Sequence, residues 1–202
     1  VRDFVNEVSM DSPAPGGGSV AALCGALGAA LAAMVSNLTV GKKGYESVQK
    51  IIKKTALQGQ ELKEAFLRAV DLDTASFNKV IEAFRLPRKT EEQKAERAKA
   101  IQEATKEATL VPLQVMEKGV EALKLIRVVA THGNKNSISD AAVAALTALS
   151  AVEGAYYNVL INLPNIEDKD FRIRVRRKAG QLKRRAAQLQ QEALRIVKRQ
   201  LR

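Results

Sequence analysis

The chain has 202 residues but only one cysteine, one histidine and no tryptophan, and aromatic residues make up 4% of it. A single cysteine, Cys24, excludes a disulfide framework within the chain and suits a reducing compartment. With one histidine, His132, and no HExxH or paired carboxylate-and-His spacing, neither a zinc nor a di-iron site is expected. His132 is also the sole candidate base for a Ser/His/Asp triad. It lies among Asn and Gly, which reads as a solvated loop histidine. The opening "VRDFVNEV" lacks the apolar stretch of a signal peptide. Charge is missing altogether from Val20 to Val40. That run is long enough to suggest a membrane span, but it is mostly Ala and Gly and carries Ser36, Asn37 and Thr39. The expectation is a buried central helix and no membrane. Ala21, Gly25, Ala29 and Ala33 recur every four residues along it, a smooth face for a closely packed neighbour.

What is present in excess is positive charge, a net +11. It is not spread evenly. From Lys169 onward there are 13 Lys and Arg against 2 acidic residues, and the rest of the chain balances. A basic terminal helix suits RNA or an anionic ligand, or is a solvated face. Only Phe171 interleaves the cations, so a base-stacking platform is missing and nucleic acid is not the expected partner.

The hydrophobic spacing is helical throughout. Val1, Phe4, Val5 and Val8 open a short amphipathic helix. Residues 12–18, "SPAPGGG", form a loop, and Ser19 fits the N-cap of the Ala-rich helix. "GKKGY" ends that helix. A long helix follows from about Ser47 to Phe84. Thr90 and Gln93 form a capping box for a helix that Pro112 is expected to kink or split before about Ala130. "THGNKNSISD" reads as a polar loop in which Ser139 or Asp140 caps a second Ala-rich helix ending near Leu163. The last helix carries Leu182, Ala186, Leu189, Ala193 and Ile196 in steps of four and three. No strand and no repeat emerge. The expected fold is an all-α bundle of six or seven helices in one domain, residues 1–202.

Two features carry chemical interest. "PGGGS" is neither a P-loop nor a dinucleotide fingerprint. A Cβ-free backbone opening a helix nevertheless offers N–H groups to an anion or a flat ligand. Positions 62, 66, 69/70, 73, 77, 80/81 and 84 form one stripe, and Asp73 alone in it is charged. A carboxylate on a core-facing stripe is costly unless paired or used. Asp71 is about 200° around the helix from Asp73, so the two cannot share a face. Asp140 is of interest because it follows the amide-rich "GNKNS", and Lys42 and Lys43 could hold a carboxylate or phosphate.

The ordered set "PAPGGGSVAAL", "MV…LTVGKKGY", "VDLDTASF", "LPRKTEEQ…ER", "VPL", "HGNKNSISD" and "GAYYNVLINL" resembles the formiminotetrahydrofolate cyclodeaminase family, some of whose members are methenyltetrahydrofolate cyclohydrolases. The resemblance covers nearly the whole chain. It implies an all-helical dimer with its active site near the subunit contact, cytoplasmic, in histidine breakdown and one-carbon metabolism. It implies cyclisation of 5-formiminotetrahydrofolate to 5,10-methenyltetrahydrofolate with loss of ammonia, with no bound cofactor and no metal. The substrate would be a tetrahydrofolate, polyglutamylated or not, and a formiminotransferase would be the partner activity. The motif positions kept are Gly16, Gly17, Gly18, Ser19, Lys42, Lys43, Asp71, Asp73, Arg97, Gly133, Asn134, Ser139, Asp140, Asn158 and Asn162. Of these, Asp73 and Asp140 are the expected catalytic carboxylates, one for acid/base transfer and one to stabilise the cation, in either order. Gly16 to Ser19, Lys42, Lys43, Asp71, Arg97, Asn134, Ser139 and Asn162 are the expected substrate contacts. His132 departs from relatives with Cys beside the "GN". The rival readings are a cyclohydrolase and, in another class, a basic helical adaptor.

Overall fold

The computed structural model describes residues 1–202 as six α-helices with no strand: α1 (Arg2–Val8), α2 (Gly17–Asn37), α3 (Gln49–Arg85), α4 (Glu91–His132), α5 (Ile138–Asn162) and α6 (Lys169–Gln200). Helix α1 buries none of its side chains. The other five form an up-down bundle. Contacts between Gly18 and Asp73, Gly25 and Phe66, and Gly59 and Ala33 run α2 antiparallel to α3. Contacts between Gly154 and Ala21 and between Gly28 and Ala148 do the same for α5 and α2. Helix α6 lies parallel to α4, tied by Lys106–Asp168 at its start and Arg127–Glu192 further along.

Small residues decide this packing. Ala21, Ala29 and Ala33 on α2 are buried, as their four-residue spacing predicts. The ring of Phe66 sits where a Cβ on Gly25 would be. Glycine inside a helix costs about 1 kcal/mol relative to alanine, and burying a whole Phe returns roughly 1.5–3 kcal/mol. The exchange is favourable only because the glycine lets the ring in.

Several local expectations need correction. Helix α2 starts at Gly17 with Gly16 at its N-cap, so Ser19 lies inside the first turn. The Ser19 side chain is needed elsewhere, on α3. The capping box of Thr90 and Gln93 is present, but Pro112 does not split α4, which runs unbroken through it. Neither Ser139 nor Asp140 is a cap. Ser137 precedes α5, and both residues lie in the first turn. His132 is the last residue of α4, half-buried, rather than a loop residue. On α3 the buried line is Ile52, Thr55, Gly59, Phe66, Ala69, Ser76 and Ala83. It is rotated from the line of large side chains, and Phe84 is half exposed to solvent. The interior beside α2 is too narrow for a run of phenylalanines.

The uncharged helix α2 and helix α5 both have the length and composition to cross a membrane. Most of α2 is buried within the bundle. Yet α2 and α5 also present Leu27, Met34, Leu38, Val143, Leu146, Tyr157 and Ile161 to solvent. The cationic helix α6 buries Phe171, Val175, Ala179, Ala186, Leu189, Ala193 and Val197. Of its own cations only Lys178 and Lys183 pair with carboxylates, Glu117 and Glu153.

Candidate active site

Asp73 reaches across from the middle of α3 to the first turn of α2. Ser19 Oγ donates to Asp73 Oδ2 at 3.0 Å, and the Ser19 backbone N–H also donates to this carboxylate. The first N–H groups of a helix have no partner within it, so Asp73 acts as a cap supplied from a neighbouring helix. Gly18 is required for this approach. A methyl group there would fall on the Asp73 carboxylate, within 2.6 Å of its Cγ. Gly17 is different: a Cβ would only touch Asn158 Nδ2, at 3.7 Å. Burial pushes the Asp73 carboxyl above the ordinary carboxylate range, and the two Ser19 hydrogen bonds draw it partly back. Desolvation dominates, so the group holds its proton more readily than a surface Asp.

Asp73 faces a cavity of about 310 Å³ lined by residues 13–14 and 16–18, by Ser76, Phe77 and Val80 of α3, by Ala108 and Pro112 of α4, and by Asn158, Ile161 and Asn162 of α5. Both asparagines turn their nitrogens away to backbone carbonyls. Asn158 Nδ2 donates to Gly154 O at 2.9 Å, and Asn162 Nδ2 to Ala108 O at 3.2 Å. No protein donor meets either Oδ1. The side chains of the polar wall offer acceptors, a carboxylate and two amide oxygens, beside the backbone N–H groups of Gly17 and Gly18 that open α2. Such a lining complements a ligand that carries N–H groups or positive charge.

The structure thus gathers Gly16, Gly17, Gly18, Ser19, Asp73 and Asn162 at one end of the bundle. It does not bring the other expected residues to them. Lys42, Asn134 and Asp140 lie at the opposite end of α2, about 30 Å away along its axis. There Lys42 Nζ donates to Asn134 Oδ1 at 2.8 Å, and the Asn134 N–H donates to Thr39 Oγ1 at 2.8 Å. Ser139 and Lys43 are exposed. Asp71 is exposed, turned away from Asp73 as its spacing requires. Arg97 donates from Nε and Nη2 to Phe84 O at 3.2 and 3.1 Å, with its guanidinium 5.5 Å from the Phe84 ring centre. It clamps the α3–α4 tip, about 16 Å along α4 from Ala108. Ala108 and Ile161 carry no mark in the sequence, while Val80 is marked only as a stripe position and Pro112 only as a helix break. Apolar residues at helical spacing carry no mark of lining a cavity. The clue available was a proline inside a helix that needs an outside donor for one carbonyl.

A protein from Methylorubrum extorquens called methenyltetrahydrofolate cyclohydrolase is 40% identical over 171 residues, covering 85% of this chain and 82% of that protein. The formimidoyltransferase-cyclodeaminase of Mus musculus is 37% identical over 182 residues, which is 90% of this chain but 34% of the mouse protein. The chain thus spans about a third of that bifunctional relative. The crystal structure of formiminotetrahydrofolate cyclodeaminase from Thermotoga maritima superposes with a TM-score of 0.88 at 29% identity, over 98% of this chain and 95% of that one. Residues 1–181 match the family described as formiminotransferase-cyclodeaminase. By its sequence over that span and by its fold over nearly its whole length, the chain belongs to the formiminotransferase-cyclodeaminase family of folate one-carbon proteins.

Proposed function

We propose that this chain cyclises 5-formiminotetrahydrofolate to 5,10-methenyltetrahydrofolate and releases ammonia, with Asp73 as the proton carrier. The observation that supports this most is the half-buried Asp73 carboxyl, raised by desolvation, in a cavity that also presents the Asn158 and Asn162 amide oxygens. The formimino group is a protonated amidine, and three oxygens suit it. N10 attacks the formimino carbon and a C–N bond forms. Asp73 takes the proton from N10 and passes it to the departing nitrogen. The old C–N bond breaks, ammonia leaves, and the positive charge of the substrate ends on the methenyl bridge. Charge and protons balance without another reactant. A carboxyl poised nearer neutrality than usual suits both halves of this transfer. Holding N5 and N10 of one molecule in attacking geometry supplies much of the remaining rate.

A second reading has a specific support: the 40%-identical relative is called a cyclohydrolase. In that reaction water attacks the same methenyl carbon, and the same carboxylate takes its proton. One experiment separates the two. The protein is mixed with 5-formiminotetrahydrofolate, and methenyl absorbance and free ammonia are followed, beside controls with Asp73→Asn and with methenyltetrahydrofolate alone. Matched appearance of both products, lost in the variant, is expected. Faster decay of methenyltetrahydrofolate without ammonia would replace the proposal with the cyclohydrolase.

The same reading includes a homodimer. Small-molecule sites run to roughly 300–1,000 Å³, so about 310 Å³ holds only part of a folate. The uncharged face of α2 and α5 is unpartnered, and it runs the length of both helices. A two-fold axis across its middle would set the Asp73 end of one protomer against the opposite end of the other. The partner subunit's Lys42, Asn134 and Asp140 would then complete the site, with the partner's Lys42 toward the glutamate end of the substrate. Mixing inactive Asp73→Asn with inactive Asp140→Asn protein should restore activity that neither has alone. Continued inactivity of the mixture, with subunit exchange confirmed, would remove the shared site.

A further inference from the structure

Pro112 lies in the middle of α4, beside the cavity. In an unbroken helix, residue 112 would donate its N–H to Ala108 O. Proline has no N–H, so that carbonyl must find its donor elsewhere. The donor is Asn162 Nδ2 of α5, 54 residues away, at 3.2 Å. This fixes more than the helix. An amide has one donor end and one acceptor end. With the nitrogen held by Ala108 O, the oxygen has to turn the other way, because two oxygens facing each other would repel. No buried side-chain polar atom in the structure lacks a partner, and Asn162 Oδ1 has none within the protein. It is therefore open, on a side chain that lines the cavity.

We propose that Pro112 is a positioning residue: by withholding one helical N–H it locks the Asn162 amide with its oxygen toward the ligand, and so holds one fixed acceptor for cationic, N–H-bearing one-carbon groups. The ligand half of this rests on the folate reading above. The orientation half rests on the hydrogen bond alone. Asn158 provides the contrast. Its Nδ2 donates to Gly154 O, a carbonyl that already has a helical partner because residue 158 is not proline. The Asn158 amide answers no carbonyl left open by a proline, so its orientation rests on one added hydrogen bond at 2.9 Å.

The test is a two-by-two set: wild type, Pro112→Ala, Asn162→Asp and the double variant. In Pro112→Ala the helix closes its own bond and Asn162 is released, so thermal stability holds or rises. KM for 5-formiminotetrahydrofolate rises about tenfold, the value of one hydrogen bond to a charged group, with kcat little changed. Asn162→Asp alone sets a carboxylate against a bare carbonyl and raises KM further. In the Pro112→Ala background the same substitution restores an acceptor and lowers KM again. That reversal of sign is what a proline acting only on helix shape would not produce. Equal harm from Asn162→Asp in both backgrounds would overturn the proposal. The side-chain amide signals of Asn162 in an NMR spectrum read the orientation directly: one proton protected in wild type, both exchanging in Pro112→Ala. If neither folate is turned over by wild-type protein, the folate reading fails, and unchanged amide signals in Pro112→Ala would separately overturn the lock.

Discussion

The two ends of the bundle are built from the same helices and serve different purposes. At the Asp73 end, a carboxylate is drawn into a half-buried position, a glycine is required under it, and two amide oxygens are left without protein donors. At the Asn134 end, the polar groups largely satisfy one another: Lys42 with Asn134, Asn134 with Thr39, and the Lys135 N–H with Tyr45 OH at 3.1 Å. Desolvated charge and open acceptors are costly for stability, and they mark the end adapted to a ligand. Closed hydrogen bonds mark the end whose loop is held in place within the single protomer.

This contrast can be broken most severely at Asp73. Asp73→Asn should lower turnover by about 10²–10⁴, the usual worth of a proton-transferring group, without loss of melting temperature. It should also change how stability depends on pH. A carboxyl raised in the folded state binds a proton that the unfolded chain has released, so stability falls as pH rises from the ordinary Asp value, about 3.9, through the raised one. Urea midpoints across that window should lose this component in the Asn variant. An unchanged profile would place Asp73 among ordinary surface acids.

The two glycines sharpen the comparison within one end. Gly18→Ala should cost roughly 1–3 kcal/mol through the clash with Asp73, measured by urea unfolding, and should depress activity as well. Gly17→Ala has room and lies in the first turn of a helix, so stability should hold or rise by up to about 1 kcal/mol. Substrate affinity should still fall, since the added methyl enters the cavity. The smallest effect belongs to the other end. Lys42→Ala removes one hydrogen bond and should destabilise by about 0.5–1.5 kcal/mol. The shared site proposed above expects a loss of substrate affinity in the dimer beyond that stability change, and unchanged affinity would confine Lys42 to holding its loop.

Much of this was legible beforehand, and the exceptions share a cause. The Ala and Gly spacing of α2 announced close packing, and the capping box at Thr90 is where the sequence puts it. Asp73 stood out because a charge in an apolar stripe is unusual. The stripe itself was misplaced, since large side chains mark a face only where the neighbour leaves room, and α2 leaves little. Ser19 was assigned to a cap on local grounds. Its hydroxyl instead crosses to α3, to Val70 O at 3.2 Å and to Asp73. Asp73 and Asp140 looked like a pair because both are acidic and unusual, and nothing in one dimension could set them at opposite ends of α2.

Residue order alone determined the helical class, the small-residue seams and the concentration of charge in α6, because periodicity and composition are properties of short windows. It also determined that residue 112 has no N–H to give, since that is proline chemistry, and the unbroken course of α4 turns this into an open carbonyl at Ala108. Only the tertiary structure decided who answers that carbonyl, which carboxylate is desolvated, and which groups share a cavity. Those are distances between residues tens of positions apart, fixed by how the helices pack and by nothing written at either position.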